Sequence, residues 1–144
     1  MDNPLFSVRL AGWPQDRPAL RRIRETVFVE EQQVPVPLEW DGLDPDCLHV
    51  LAESPAGEPI GTGRLLPDGH IGRMAVLKPW RRRGVGRALL QRLMDEGQHR
   101  GFSTFVLAAQ LRAVPFYEKF GFRAEGDIFE DAGIPHRNMR WQVK

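Results

Sequence analysis

The segment from Arg81 to Arg87 has the residue types and spacing of an anion-binding turn. Gly84 and Gly86 lack the Cβ atoms that would keep a phosphate away from the backbone, and a predicted helix begins at the same place. The first N–H groups of a helix have no partners within it, so an anion can accept their hydrogen bonds. The surrounding arginines, which would supply charge of the right sign, are Arg81, Arg82, Arg83 and Arg87.

Two common phosphate motifs are excluded by the residues of this turn. The Walker pattern GxxxxGK[ST] is absent, and the third glycine position of the dinucleotide fingerprint holds Leu89. A GxG turn alone also occurs as a plain connection between a strand and a helix, with its arginines solvated. The choice between the two interpretations therefore depends on the rest of the chain.

Hydrophobic patterning predicts the elements that position this turn. A strand comes first, then a helix that begins at Asp16 and Pro18, three strands, a helix, a strand, a short helix and two strands. Antiparallel strands followed by a β-α-β unit indicate a mixed α/β sheet with helices on both faces. The apolar strand after the long helix is typical of a strand buried on both faces. The predicted bounds are 5–11, 49–54, 59–66 and 70–77 for the first four strands, 84–100 for the long helix and 103–109 for the apolar strand.

Two stretches of the chain resemble the signatures of the GNAT acyl-CoA N-acyltransferases. RRRGVGRALL is similar to RxxGxG/A, with Arg81, Gly84 and Gly86 in the defining positions, and MAVLKPW resembles the strand, bulge and proline that precede it. AQLRAVPFYEKFGF resembles NxxAxxFYxxxGF, with Gln110 where asparagine is commoner. EEQQVP, the acids at 41 and 44, and GIPHRNM are similar to a branch of small bacterial members. The matching residues of the second stretch are Ala113, Phe116, Tyr117, Gly121 and Phe122.

The resemblance implies a GNAT fold over residues 1–144 as one domain. That fold is a mixed central sheet of about six to seven strands, splayed where acyl-CoA binds, with helices on both faces. The resemblance also implies acetyl-CoA as acyl donor, a primary amine as acceptor, direct transfer and no metal. The residues expected to bind the donor, many of them through the main chain, are Met74, Ala75, Val76, Arg81, Arg82, Arg83, Gly84, Val85, Gly86, Arg87, Gln110 and Tyr117.

An amine that attacks a thioester has to lose a proton, and the departing thiolate has to gain one. Tyr117 is the candidate acid because a phenol is protonated at neutral pH and its sequence context matches the family. The alternative is a tyrosine ring that only packs in the core. His136 is a candidate base, because histidine changes charge near neutral pH and GIPHRNM lies in or beside the loop between the last two strands; the alternative is a structural or solvated histidine. The other candidates, among which the sequence does not choose, are Glu30, Glu31, Asp41 and His49.

The segment after Gln33 is rich in proline and carboxylates, which predicts a surface loop. Its acids, Glu39, Asp41, Asp44 and Asp46, would steer a cationic amine; acidic loops are equally ordinary solubility features. Trp40 is either a packing anchor or, because it stands in the acidic loop, part of the wall of the acceptor pocket. The predicted acceptor-binding residues are Glu31, Trp40, Asp41 and His136.

Composition limits the classes of function. The chain has 42% hydrophobic and 27% charged residues, values of a globular protein, and a formal net charge of +1, which gives no broad basic surface. The single cysteine, Cys47, excludes an internal disulfide and is expected to be inert. We expect a cytoplasmic protein with no nucleic-acid or membrane partner and a possible homodimer. A non-catalytic acyl-CoA sensor of the same fold is the alternative function, against which Tyr117 argues.

Overall fold

A computed structural model describes residues 5–36 and 40–143 of the chain. Within these ranges the elements follow the predicted order, with seven strands and three α-helices. None of these helices is long and apolar enough to cross a membrane. The strands are β1 Ser7–Ala11, β2 Leu48–Glu53, β3 Pro59–Leu65, β4 Ile71–Val76, β5 Thr104–Gln110, β6 Arg123–Asp131 and β7 Ile134–Gln142, and the helices are α1 Trp13–Arg24, α2 Val85–His99 and α3 Val114–Glu118.

The strands form two antiparallel sheets that meet at the edges of β4 and β5. The first has the order β1-β2-β3-β4 and the second the order β5-β7-β6. Among the described residues the only bridge between β4 and β5 is the isolated parallel pair His70 and Val106. The mixed sheet of the sequence prediction is therefore parallel at this one bridge alone. Beyond it the two strands splay apart, as the resemblance predicts for a GNAT fold.

Helices cover both faces of the first sheet, which confirms the layered α/β prediction. Successive strand residues point to opposite faces, so Val50 and Leu51 of β2 pack in different clusters. Leu51 lies in the cluster formed with Leu20 and Ile23 of α1. Val50 lies in the larger cluster that contains the apolar stripe of α2. The strands that carry the site are thereby held from two sides by dense apolar packing.

The first helix begins at Trp13, three residues before the predicted start at Asp16. Asp16 does not cap the helix as the residue that precedes it; its carboxylate instead accepts a hydrogen bond from the N–H of Gly12, at 2.9 Å. The backbone N–H of Asp16 donates to the carbonyl of Gly12 at 2.8 Å, so the first turn is already closed there. Pro18 lies inside the helix rather than at its start. The prediction failed because an aspartate can accept a hydrogen bond from a backbone N–H at a helix start either as the residue before the helix or from within its first turn.

Helix α1 continues without a break into a π-helical segment, Glu25–Glu31, which the sequence did not predict. The amide of Gln32 closes it by donating to the carbonyl of Val27 at 3.0 Å, and Gln33 then takes a left-handed conformation with φ of 58°. Of the described residues that follow, 34–35 and 40–43 form no helix or strand, as predicted for a loop, and Asp44–Asp46 form a short 3₁₀ turn. Glu39 of the acidic segment lies outside the described residues.

Strand β5 is buried on one face and not on both, contrary to the sequence prediction. Phe105, Leu107 and Ala109 are buried, whereas Ala108 is exposed and its neighbours on the same face are half-buried. The reason is the splay, because an open cleft lies against that face where a neighbouring element would otherwise cover it. An apolar run in the sequence does not distinguish a covered face from one that borders a cleft.

Candidate active site

The splay between β4 and β5 opens a cleft of about 860 Å³. Along one side of it, the register of β4 with β3 passes from Ala75 to Gly72 and skips Arg73 and Met74, which form a bulge. Arg73 has φ of 52°, an uncommon conformation for a residue with a side chain. A strand edge without a neighbouring strand presents unpaired N–H and C=O groups, which can bind an extended ligand as if it were another strand. The geometry fits the predicted backbone role of Met74, Ala75 and Val76.

The phosphate-type turn lies where β4 leads into α2. Gly84 has φ of 85° and precedes the helix, which begins at Val85. A side chain at 84 would be strained by that conformation, although a Cβ there would meet no atom within 4 Å. The first amides of α2, from Val85 to Arg87, are therefore placed at an open turn, free of intrahelical partners. The local strand-turn-helix geometry is the one that the glycine spacing predicted.

The arginines of this turn take different positions. Arg83 stacks over the ring of Trp80 at 5.1 Å and Arg87 over that of Phe120 at 5.9 Å, and both remain exposed beside the turn. Arg82 is exposed, with φ of 63°. Arg81 is turned away from the others: its guanidinium donates to both carboxylate oxygens of Glu31, at 2.6 and 2.7 Å. The structure thus brings together two residues that the sequence assigned to different ligands.

Tyr117 lies on the short helix α3, which is closed by Gly121 in a left-handed conformation. Its side chain is 9% exposed, packs edge-on against Phe116 and Phe122, and lines the cleft. Burial raises the pKa of Tyr117 to about 12. The hydroxyl forms no hydrogen bond to a described residue. The phenol is therefore protonated at every ordinary pH, and in the described part of the chain nothing accepts its proton at the cleft.

His136 lies on β7 opposite Gln110 of β5, and it also lines the cleft. Its Nδ1 is 2.6 Å from the carbonyl oxygen of Ile134. A carbonyl can only accept, so the proton of the neutral ring is on Nδ1 and Nε2 carries the lone pair. The ring stacks on Phe129 at 5.9 Å, which fixes its plane. No described residue occupies Nε2, so this nitrogen can accept a proton from a ligand.

Tyr117 and His136 approach the cleft from opposite faces of the second sheet. Tyr117 belongs to the apolar cluster that contains Leu107 and Ala109 of β5. His136 pairs with Gln110, whose side chain points to the other face because it is one residue beyond Ala109. The cleft therefore passes between the two sheets from one face to the other. The phenol of Tyr117 lines it on one face and the imidazole of His136 on the opposite face.

A buried ionic cluster borders the cleft, which Arg64 lines, and sequence reasoning missed its two central arginines. Asp44 is 3% exposed and accepts hydrogen bonds from Arg24 at 2.7 Å and from Arg64 at 2.9 Å. Burial alone would raise the pKa of Asp44, but the two guanidiniums outweigh it and hold the pKa below the usual aspartate value. The backbone carbonyl of Asp44 also accepts from Nε2 of buried His49 at 2.9 Å. No sequence signal pairs residues twenty positions apart, so this cluster was not predictable.

The predicted acceptor-binding residues of the acidic loop are engaged with arginines. Asp41 accepts hydrogen bonds from Arg64, at 3.1 Å, and from Arg73, at 3.2 Å, and lines the cleft. Burial opposes ionisation of Asp41, yet its arginine neighbours lower its pKa to about 2. Trp40 lies under the guanidiniums of Arg21 and Arg24, at 4.7 and 4.6 Å, and is not among the residues that line the cleft. Steering of an acceptor by this loop stays a prediction.

Cys47 is half-buried. Burial raises the pKa of the Cys47 thiol to about 11, and the thiol donates to the carbonyl of Leu43 at 3.2 Å, so this sulfur is a poor nucleophile. Among the described residues, no group of three or more histidine, cysteine, aspartate or glutamate side chains is arranged to hold a metal ion.

Comparison with known proteins identifies the family. The model described as Acetyltransferase (GNAT) domain matches residues 25–143. The uncharacterized N-acetyltransferase YjcF of Bacillus subtilis is 41% identical over 121 residues, which cover 81% of this chain and 86% of that protein. The crystal structure of Escherichia coli ElaA has a TM-score of 0.82 at 28% identity, over 94% of this chain and 98% of that one. An acyl-CoA N-acyltransferase from Pseudomonas aeruginosa gives 0.83, with the same identity and coverage. The chain belongs to the GNAT acetyltransferase family, and it is an acyl-CoA N-acyltransferase.

Proposed function

We propose that this enzyme transfers an acetyl group from acetyl-CoA directly to the primary amine of an acceptor, with His136 as base and Tyr117 as acid. One observation carries the proposal. The cleft between the two sheets is lined by a proton acceptor, Nε2 of His136, on one face and by a proton donor, the phenol of Tyr117, on the other. Donor and acceptor would enter from opposite sides and meet where β4 and β5 diverge. The turn at Gly84 and Gly86 would hold the donor's pyrophosphate.

The residues divide the proton movements between them. Nε2 of His136 takes a proton from the acceptor ammonium, and the freed nitrogen attacks the thioester carbonyl carbon. A backbone N–H in the bulged part of β4, near Met74 to Val76, stabilises the oxyanion that forms. The C–S bond breaks as Tyr117 delivers its proton to the sulfur. The nitrogen loses two protons in all: His136 releases the first to solvent, and the second replaces, by way of solvent, the proton that Tyr117 gave to the sulfur.

The decisive experiment is a screen of amines with acetyl-CoA, in which release of free thiol is followed. The panel should include amino acids, polyamines, aminoglycosides and lysine peptides. Thiol release that depends on one class of amine, with the acetylated product seen by mass spectrometry, would support the proposal. CoA binding without amine-dependent release would identify a non-catalytic sensor instead.

His136→Gln is expected to lower kcat/KM for the amine on the order of 10²-fold at neutral pH, because no group is left to take the ammonium proton. The difference from the parent should narrow as pH rises, since more of the acceptor is then already neutral. Steady-state rates across the pH range test this. His99→Gln, on the last turn of α2, is the matched control and should keep the parental profile. Identical profiles for His136→Gln and the parent would remove His136 from the reaction.

Gly86→Val is expected to weaken CoA binding by about 10- to 100-fold, because its methyl groups would stand between the phosphate and the first amides of α2. Gly86→Ala is the control for the fold. A Cβ at 86 would lie 3.8 Å from the nearest atoms of Phe116 and Val76, which is an ordinary contact. Calorimetry with CoA measures both variants. Unchanged affinity in a folded Gly86→Val protein would place the pyrophosphate elsewhere.

A further inference from the structure

In the described ranges a single bridge joins the two sheets, so their spacing along the rest of the cleft depends on other contacts. The bridge between His70 and Val106 joins β4 and β5 at one end. At the other end, where Val76 and Gln110 finish their strands, no ladder joins the strands in the described ranges. A pantetheine chain that bonds to strand edges needs those edges at a set spacing. The open end of the splay is therefore where a spacing device would act.

Two consecutive residues contact both sides of this open end. Glu31 accepts two hydrogen bonds from Arg81, and Arg81 donates a third from Nε to the carbonyl of Val76 at 2.9 Å. Gln32 accepts a hydrogen bond on Oε1 from Nε2 of Gln110, at 2.9 Å. Val76 is the last residue of β4 and Gln110 is the last residue of β5. The pair Glu31 and Gln32, called here the strap, thus connects the ends of the two strands.

The end of the first helix places the two strap residues. The π-helical segment ends at Glu31, and the left-handed turn at Gln33 leads the chain away immediately afterwards. π-Helical turns and left-handed non-glycine residues are uncommon, and both are frequent at functional sites. Arg81 also lowers the pKa of Glu31. The carboxylate therefore stays charged at neutral pH and keeps both hydrogen bonds to the guanidinium of Arg81.

We propose that Glu31 and Gln32 are positioning residues that set the width of the cleft between β4 and β5, and that Arg81 acts through them and through Val76 rather than as a phosphate ligand. This inference rests on the proposed function, because it takes the cleft to be the donor site. Neither strap residue has to touch the substrate. The strap holds the strand edges in the spacing that binds pantetheine and brings the thioester between Tyr117 and His136.

The sign of one effect separates this proposal from simple electrostatics. Removal of a carboxylate near a polyanion should tighten CoA binding if only charge matters. Loss of the strap should weaken it. We therefore expect Glu31→Gln to bind CoA about 3- to 30-fold less tightly, of the order of a bidentate charged hydrogen bond. Glu31→Asp keeps the charge but shortens the reach by one methylene, and it should also weaken binding.

Isothermal calorimetry with CoA, without any acceptor, measures these affinities. Glu53→Gln is the matched control, because Glu53 pairs with Arg9 at 2.9 Å at the far edge of the first sheet. It should bind CoA as the parent does, and urea unfolding should show all variants folded. Gln32→Ala should weaken binding in the same direction as Glu31→Gln. In the double variant Glu31→Gln, Arg81→Gln, the loss should equal that of Arg81→Gln alone.

Several outcomes would overturn the proposed positioning role of the strap. Tighter or unchanged CoA binding by Glu31→Gln would do so, and so would parental binding by Glu31→Asp. Additive losses in the double variant would show that Arg81 contacts the phosphate independently of Glu31. Failure of the proposed function is seen separately, as a parent protein that binds CoA but acetylates no amine. In that case the affinities still test whether the strap shapes the donor site.

Discussion

Tyr117→Phe is expected to lower kcat by about 10²- to 10⁴-fold while CoA affinity changes little. The substitution keeps the ring that packs against Phe116 and Phe122 and removes only the hydroxyl, so the stability should be nearly parental. Because burial raises the pKa of Tyr117 to about 12, the phenol stays protonated throughout the neutral range. The loss of rate should therefore be similar at every pH between about 6 and 9.

Steady-state kinetics with an amine found in the screen, together with CoA calorimetry, test this expectation. Phe122→Leu is the control for packing, since it disturbs the buried ring beside Tyr117 without changing a hydroxyl. It should lower the free energy of unfolding and leave kcat close to the parent's. A parental kcat for Tyr117→Phe over the whole pH range would mean that water protonates the thiolate. Tyr117 would then be a packing residue, whereas the assignment of the donor site, which depends on other residues, would be unaffected.

Asp44→Ala is expected to lower the free energy of unfolding by about 3–5 kcal/mol, because it leaves two buried guanidiniums without their shared carboxylate. Arg24 is 1% exposed and Arg64 is 3% exposed, so neither can turn to water without opening the structure. Urea unfolding measures the change. Asp46→Ala is the matched control, because Asp46 lies two residues away in the same turn and is exposed. It should shift the free energy of unfolding by less than about 0.5 kcal/mol.

The same cluster makes a prediction about pH. The folded-state pKa of Asp44 lies below its unfolded value, so its contribution to stability is present above about pH 4 and is lost as pH falls through the folded pKa. Asp41, whose pKa is about 2, should lose its contribution over the range between its unfolded pKa and that value. Parental stability should fall as pH drops below about 4, and Asp44→Asn should lose less over the same interval. Equal losses in the two proteins, or no difference between Asp44→Ala and Asp46→Ala at neutral pH, would contradict a structural role for Asp44.

The sequence alone determined the features that local chemistry dictates. The strand, turn and helix around Gly84 and Gly86 were predictable because glycine conformation and helix periodicity act over a few residues. The order of elements and the position of Tyr117 on a short helix before Gly121 followed from the same short-range rules and from the family resemblance. The family was predictable for this reason, since its signatures are themselves local.

Only the tertiary structure decided which distant groups meet. It paired Arg81 with Glu31 fifty residues away and Gln110 with Gln32 seventy-eight residues away, and it placed Asp44 between two buried arginines. It also left one face of β5 open, although the apolar run there predicted burial on both faces. The physical reason is common to these cases. The residue type of a charged or apolar side chain does not reveal whether its partner is water, a ligand or a distant residue. The partner is chosen by the packing of the whole chain, which brings a buried charge to its counter-ion and leaves one strand face covered and another open.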